Sequence, residues 1–199
     1  MKKFTLEVTA LSPLHLGAGK ADVVIDAEVV HDEYGMPYFP AKRLKGLLYE
    51  SALELAEISQ EALFTMADLK ELFGQGQQDG AGFTLENLYL PHYDELRAGW
   101  SYLRKNYAGL FKEQDVLASY TDLRFQTMLD KETGTAADGS LHNMRMVDAD
   151  TVFTGELELA ADDKKNVRIL ELAFKNLRYA GAKRNRGCGR IQCVLKEGR

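Results

Sequence analysis

At 199 residues, 45% apolar and 28% charged, the chain has material for one globular domain with its own core and too little for a second full one. It contains no apolar block long enough for a signal peptide or a membrane span, which predicts a cytoplasmic protein without a membrane partner; Cys188 and Cys193, its two cysteines, are too few for a disulfide framework or a cysteine-built zinc site. The net charge of −5 argues against indiscriminate coating of nucleic acid, although a local basic face, not the sum, decides such binding.

Lys3 to Leu11 alternates apolar and polar side chains, Phe4, Leu6 and Val8 against Thr5, Glu7 and Thr9, which predicts a half-buried strand. Pro13, Gly17 and Gly19 end it. The stretch VVIDAEVVHDEYGMPYF predicts two short strands around a turn at Glu33 to Gly35. Pro40 then opens a helix over Lys42 to Ile58, in which Leu44, Leu47, Leu48, Ala52 and Leu55 share the face that packs on a sheet. A second helical piece is predicted over Glu61 to Phe73, a Gly/Gln loop over Gly74 to Gly82, and a strand over Phe83 to Leu90. Leu96, Trp100, Leu103, Tyr107 and Leu110 have helical spacing and predict an inserted helical hairpin at about 92–117. Periodicity weakens from Thr121 to Thr151, where LDKETGTAADGSL reads as a projecting loop. A strand follows over Phe153 to Leu159. Asp162 and Asp163 are placed to cap a helix whose buried stripe is Val167, Leu170, Leu172, Ala173 and Leu177, and a last strand covers Arg190 to Leu195.

Without the insertions the order is strand, helix, strand, strand, helix, strand. This predicts an α+β, ferredoxin-like domain spanning residues 1–199, the order also found in RNA recognition motifs. Two basic clusters stand out against the acidic whole. GAKRNRGCGRI sets Lys183, Arg184, Arg186 and Arg190 among Gly181, Gly187 and Gly189, where backbone N–H groups and guanidinium forks suit a phosphate chain; the plain reading is a helix end, a bulge and a solvated loop. PAKRLKG puts Lys42, Arg43 and Lys45 at a helix start, where cations cost roughly 0.3–1 kcal/mol unless an anion compensates. If both loops meet, seven cations line one groove. LHLGAGK and GAGKAD lack the spacing of phosphate-binding nucleotide motifs.

SPLHLGAG, IDAEVVHDEYGMPYFPAKRLKG, LFG before a Gly-rich segment, LDKETGTAADGSL and AGAKRNRGCGRI, in this order over nearly the whole chain, resemble RAMP-superfamily proteins of type III CRISPR systems. Among these, the likeness is greatest to the repeating backbone subunit that holds guide RNA and cleaves target RNA. The resemblance implies guide-backbone contacts at Lys42, Arg43, Lys45, Gly46 and from Gly181 and Lys183 through Arg184, Arg186, Gly187 and Gly189. It implies a thumb at about 127–151, with Lys131, Thr133, Thr135 and Leu141 in its tip, and a catalytic Asp26. Implied partners are crRNA, target RNA and other Cas subunits, either RAMP relatives or further copies of this chain. The chain departs from the family in having Ala41-Lys42-Arg43 where many members carry Gly-Ser-Ser, and Glu28 where a Pro often follows the catalytic Asp.

RNA carries its own nucleophile, so cleavage needs alignment of a 2′-hydroxyl, proton removal and neutralisation of charge on the phosphate. Asp26 is the residue expected to hold a Mg²⁺ or Mn²⁺ ion, whose remaining ligands would be water and phosphate; its alternative is a plain turn aspartate. His15, beside the glycine turn, is the candidate acid, base or phosphate ligand, against a structural hydrogen-bonding role, and Glu28 is a lesser candidate for assisting the ion. Tyr34, Tyr38 and Phe39 are candidates to stack on bases, against Tyr38 and Phe39 packing beneath the helix that follows them. Three functions follow: a guide-binding subunit that is a metal-dependent endoribonuclease, a non-catalytic subunit of the same kind, and a nuclease that processes guide precursors.

Overall fold

Residues 2–19, 25–74, 82–128, 132–137, 139–161 and 163–198 are described by the computed structural model. The alternation at the start forms β1 (Lys2–Ala10), which turns Phe4, Leu6, Val8 and Ala10 inward. β1 lies between β5 (Val152–Leu159) and β6 (Ile191–Glu197), both antiparallel to it, with Val8 opposite Phe153 on one side and Cys193 on the other. β2 (Phe83–Leu85) adds to the outer edge of β5, giving the order β2-β5-β1-β6. With α1 (Ala41–Ile58) and α5 (Lys164–Asn176) as the two crossovers, this is the ferredoxin-like arrangement.

Both helices cover the inward face of the sheet. Leu44, Leu48 and Ala52 of α1 and Ile169, Leu170, Ala173 and Phe174 of α5 join the strand residues in one apolar core. Ser51 is buried between the helices and donates its hydroxyl to the Ala173 carbonyl at 2.8 Å. Asp163 caps α5 by accepting the Lys165 N–H at 2.9 Å, while Asp162, expected to share that role, lies outside the described residues.

Three expectations change. The described part of the stretch before Pro40 forms isolated pairings, Gly17 with Val29, Ala27 with Met144 and His31 with Pro37, not two regular strands. Asp32 is the cause: its Oδ1 accepts the N–H groups of Tyr34 and Met36, each at 2.9 Å, and a side chain that caps a turn competes with a ladder. The second helix, α2 (Met66–Phe73), begins five residues after Glu61, because Gln60 and Glu61 are left-handed (φ 51° and 60°) and Thr65 with Asp68 forms a reciprocal cap. The strand at Phe83 ends at Leu85; beyond it Leu88 and Tyr89 pair singly, with Phe39 and Thr154.

The region of weak periodicity holds a hairpin, β3 (Thr121–Gln126) antiparallel to β4 (His142–Val147), whose mixed exposure on both faces hid its period. Before it come α3 (Tyr93–Asn106) and the short α4 (Glu113–Ala118). Tyr34 is buried edge-on against Phe111, and Phe39 is fully buried against Phe153, so neither is a base-stacking platform. Tyr38 packs beside Tyr89, ring centroids 5.7 Å apart. No helix among the described residues is long and apolar enough to cross a membrane.

Candidate nucleic-acid interface

Four segments, three from the first quarter of the chain and one from its end, meet at one end of the main sheet: the turn after β1, the loop bearing Asp26, the first turns of α1, and the glycine loop before β6. They enclose a cleft of about 730 Å³ lined by His15, Gly17, Asp26, Glu28, Arg43 and Arg184, among others. The glycine loop is stitched to the turn after β1. Gly189 donates its N–H to the Pro13 carbonyl at 2.9 Å, and Ala182 donates to the His15 carbonyl at 3.2 Å. Gly181 (φ 74°) is forced to be glycine, because a Cβ there would stand 2.3 Å from the His15 carbonyl oxygen.

Two guanidinium groups face the cleft, each tethered by one bond. Arg43 Nη2 donates to the Gly17 carbonyl at 2.9 Å, and Arg184 Nε donates to the Gly181 carbonyl at 3.1 Å. The rest of each five-donor fork remains for an anion.

The other expected cations are dispersed. Lys45 is a correction: two residues past Arg43 on a helix, it points to a different side, and its ammonium lies 5.3 Å from the Phe83 ring centroid. Lys42 is exposed at the start of α1. Arg186 reaches Gln126 Oε1 at 3.4 Å, towards the β3–β4 hairpin, and Lys183 is exposed ahead of a short 3-10 turn, Arg184–Arg186. The seven-cation groove is therefore a two-arginine cleft with outlying charges. Nor are the first N–H groups of α1 all open to a phosphate, since Asn87 Oδ1 accepts from Ala41 at 2.9 Å. Gly46 is exposed with nothing within 4 Å of where its Cβ would be, and Gly187 likewise borders open space.

Asp26 is clamped to the start of β4. Its N–H donates to Asn143 Oδ1 and its Oδ2 accepts the Asn143 N–H, both at 2.8 Å, with His142 Nδ1 3.8 Å from the same oxygen. Its side chain is 57% exposed, and Oδ1 has no hydrogen bond among the described residues. Glu28 is committed elsewhere: it pairs with Arg145 Nε at 3.0 Å, both side chains nearly buried, and also accepts the Val29 N–H. Arg145 is the residue the sequence did not reveal. Its guanidinium also donates to Thr121 Oγ1, its N–H donates to the Ala27 carbonyl at 3.0 Å, and its carbonyl accepts from His15 Nδ1 at 2.8 Å. One buried residue thus joins the hairpin, the Asp26 loop and the histidine. Its only sequence signal was an arginine in an apolar run, MRMV.

No cluster of three or more His, Cys, Asp or Glu side chains able to hold a metal exists among the described residues. A divalent ion here would have Asp26 as its protein carboxylate, which fits a hard cation carried mainly by water and phosphate but not a closed protein cage. Of the thumb residues, Lys131 lies outside the described residues; the hydroxyls of Thr133 and Thr135 are 2.8 Å apart, and Leu141 is 62% exposed beyond the hairpin.

The fold has solved counterparts. A chain of the type III-B Cmr-beta complex bound to cognate target RNA superposes with a TM-score of 0.72 at 15% identity, covering 98% of this chain and 97% of that one. A chain of the apo Cmr-beta complex gives 0.67 at the same identity and coverage. No curated protein matches the sequence. The RAMP superfamily model matches residues 7–192, a span that takes in β2, β5, the second half of β1, the start of β6, both crossover helices and all four segments of the cleft: the chain belongs to the RAMP superfamily.

Proposed function

We propose that the chain is a guide-RNA-binding backbone subunit of a type III CRISPR effector ribonucleoprotein, and that Asp26 directs cleavage of target RNA paired to the guide. The observation that carries this reading is the single cleft holding Arg43, Arg184 and Asp26 together. The likeness to chains of a type III-B complex bound to target RNA supports the partners: crRNA, target RNA and neighbouring Cas subunits.

Arg43 and Arg184 grip phosphates of a strand laid across the glycine loop, and the loop's small residues let that strand approach the main chain. The nucleophile is the ribose 2′-hydroxyl beside the scissile phosphate. It gives its proton to solvent water and attacks phosphorus as the P–O5′ bond breaks, and O5′ takes a proton from water, leaving a 2′,3′-cyclic phosphate and a 5′-hydroxyl end. A Mg²⁺ or Mn²⁺ ion, when bound at Asp26 Oδ1, supplies neutralisation of the phosphate charge. Asn143 and the Arg145–Glu28 pair hold the Asp26 loop against the hairpin, so the carboxylate keeps one place at the cleft edge.

The test is target cleavage by the assembled complex containing Asp26→Ala. The expected result is loss of the cut at this subunit's position with RNA still bound. Unchanged cleavage would remove the enzymatic half of the proposal. A second reading, a non-catalytic subunit, is favoured by the engagement of Asp26 Oδ2 with Asn143, which is what a turn aspartate would do. It is established if the wild-type complex binds target and yields no product.

A further inference from the structure

His15 is buried, 6% exposed, yet its ring forms part of the cleft wall. Its Nδ1 lies 2.8 Å from the Arg145 carbonyl oxygen, and a carbonyl can only accept. The hydrogen is therefore on Nδ1, and in the neutral ring Nε2 is a bare acceptor. No hydrogen bond to Nε2 is made among the described residues; Arg43, which lines the same cleft, donates to the Gly17 carbonyl instead.

Gly17 keeps that nitrogen uncovered. A Cβ at position 17 would stand 2.7 Å from His15 Nε2 and 3.4 Å from Cδ2, closing over the ring. Any side chain there would occupy the space in front of the acceptor.

In the neutral ring an acceptor in this place cannot bind a phosphate oxygen, which also only accepts. The flanking arginines do that. Arg43 is tethered to the carbonyl of Gly17, and Arg184 to that of Gly181, next to the Ala182 N–H that holds the His15 carbonyl. A strand with its phosphates on those two forks presents one backbone donor to Nε2, the ribose 2′-hydroxyl, the group that distinguishes RNA from DNA.

Resting on the RNA-binding reading above, we propose that His15 is a specificity-determining residue: its Nε2 accepts a hydrogen bond from a ribose 2′-hydroxyl, so that the cleft selects RNA over strands lacking that donor. The role is recognition of the sugar, not donation of a proton.

The experiment measures binding of the full chain to a labelled single-stranded RNA, the same sequence fully 2′-fluoro substituted, and the DNA equivalent. The 2′-fluoro strand keeps an RNA-like sugar shape but has no 2′ donor. Wild type is expected to bind RNA about three- to tenfold more tightly than 2′-fluoro RNA, the scale of one net hydrogen bond. His15→Asn preserves a donor for the Arg145 carbonyl and removes the cleft acceptor; Gly17→Ala leaves the imidazole and covers it. In both, the RNA to 2′-fluoro ratio is expected to fall towards one. Gly17→Ala supplies the answer even if His15→Asn fails to fold. Equal wild-type affinity for RNA and 2′-fluoro RNA, or a wild-type ratio kept in either folded variant, overturns the proposal while leaving RNA binding intact. Failure of the wild-type chain to bind any of the strands removes the RNA reading itself.

Discussion

Gly181 has the main chain of His15 where its side chain would be: a Cβ there would lie 2.3 Å from the His15 carbonyl oxygen. Gly187, in the same loop and with the same φ of 74°, has nothing within 4 Å. With Gly189, where a Cβ would lie 2.1 Å from the Ala180 carbonyl oxygen, the loop therefore contains two glycines demanded by both backbone conformation and contact, and one, Gly187, demanded by conformation alone. Gly181→Ala is expected to lose about 2–4 kcal/mol, strain and steric conflict together, against about 1 kcal/mol for Gly187→Ala. Urea unfolding of the two variants checks this, and equal losses would contradict the contact.

Arg145 and Glu28 form an ion pair with side chains 9% and 14% exposed. Removing one partner strands the other charge in a poorly hydrated place. Arg145→Met is expected to cost about 3–5 kcal/mol. Adding Glu28→Gln should restore about 1–3 kcal/mol of that loss, the coupling of residues in direct contact. A double-mutant cycle measured by denaturant midpoints decides it, additive losses being the contrary result.

Asp68 and Lys165 pair across α2 and α5, with Asp68 also accepting the Thr65 N–H. The hydrogen bond from Lys165, then that from Thr65, lowers the Asp68 carboxyl below its usual range, and the hydrogen bond to Asp68 raises the Lys165 ammonium above its own. A depressed carboxyl contributes stability above its unfolded-state value, near 3.9, and that stability is lost as pH falls through the lower folded value. For Lys165 the sign reverses: its contribution is complete below about 10.4 and lost as pH rises through the folded value. Asp68→Asn should thus be less stable than wild type at neutral pH, the gap closing towards both pH extremes. Thermal midpoints across the pH range test it; a gap independent of pH rules out the linkage.

Salt dependence separates cleft cations from the rest. Each phosphate neutralised contributes about 0.7 to the slope of log K against log salt for a single strand. Arg43→Glu with Arg184→Glu should flatten that slope by at least about 1.4. Lys45→Gln should leave it as it is, because that ammonium sits over Phe83. A slope that responds to Lys45 and not to the arginines would place the strand elsewhere.

The ferredoxin-like order was legible because its elements carry strong local periods. Phe4, Leu6 and Val8 alternate, and Leu44, Leu48 and Ala52 repeat at helical spacing, so burial of each face followed from residue type. The β3–β4 hairpin was not legible, since Leu123, Arg124 and Phe125 stand half in solvent without a clean alternation. Residue type placed Arg43 and Arg184 among seven candidate cations and made His15 a candidate, while Asp26 was singled out by the family resemblance; all four side chains line the cleft.

Sequence alone determined which segments could make strands, helices and an anion-friendly loop, because those properties belong to residues within a few positions of one another. Tertiary structure decided the site itself: that Arg43 faces the cleft while Lys45 caps a phenylalanine, that Glu28 belongs to Arg145, and that Asp26 is fastened to Asn143 117 residues away. Such pairings depend on direction and on long-range closure of the chain, which the spacing of residues does not encode.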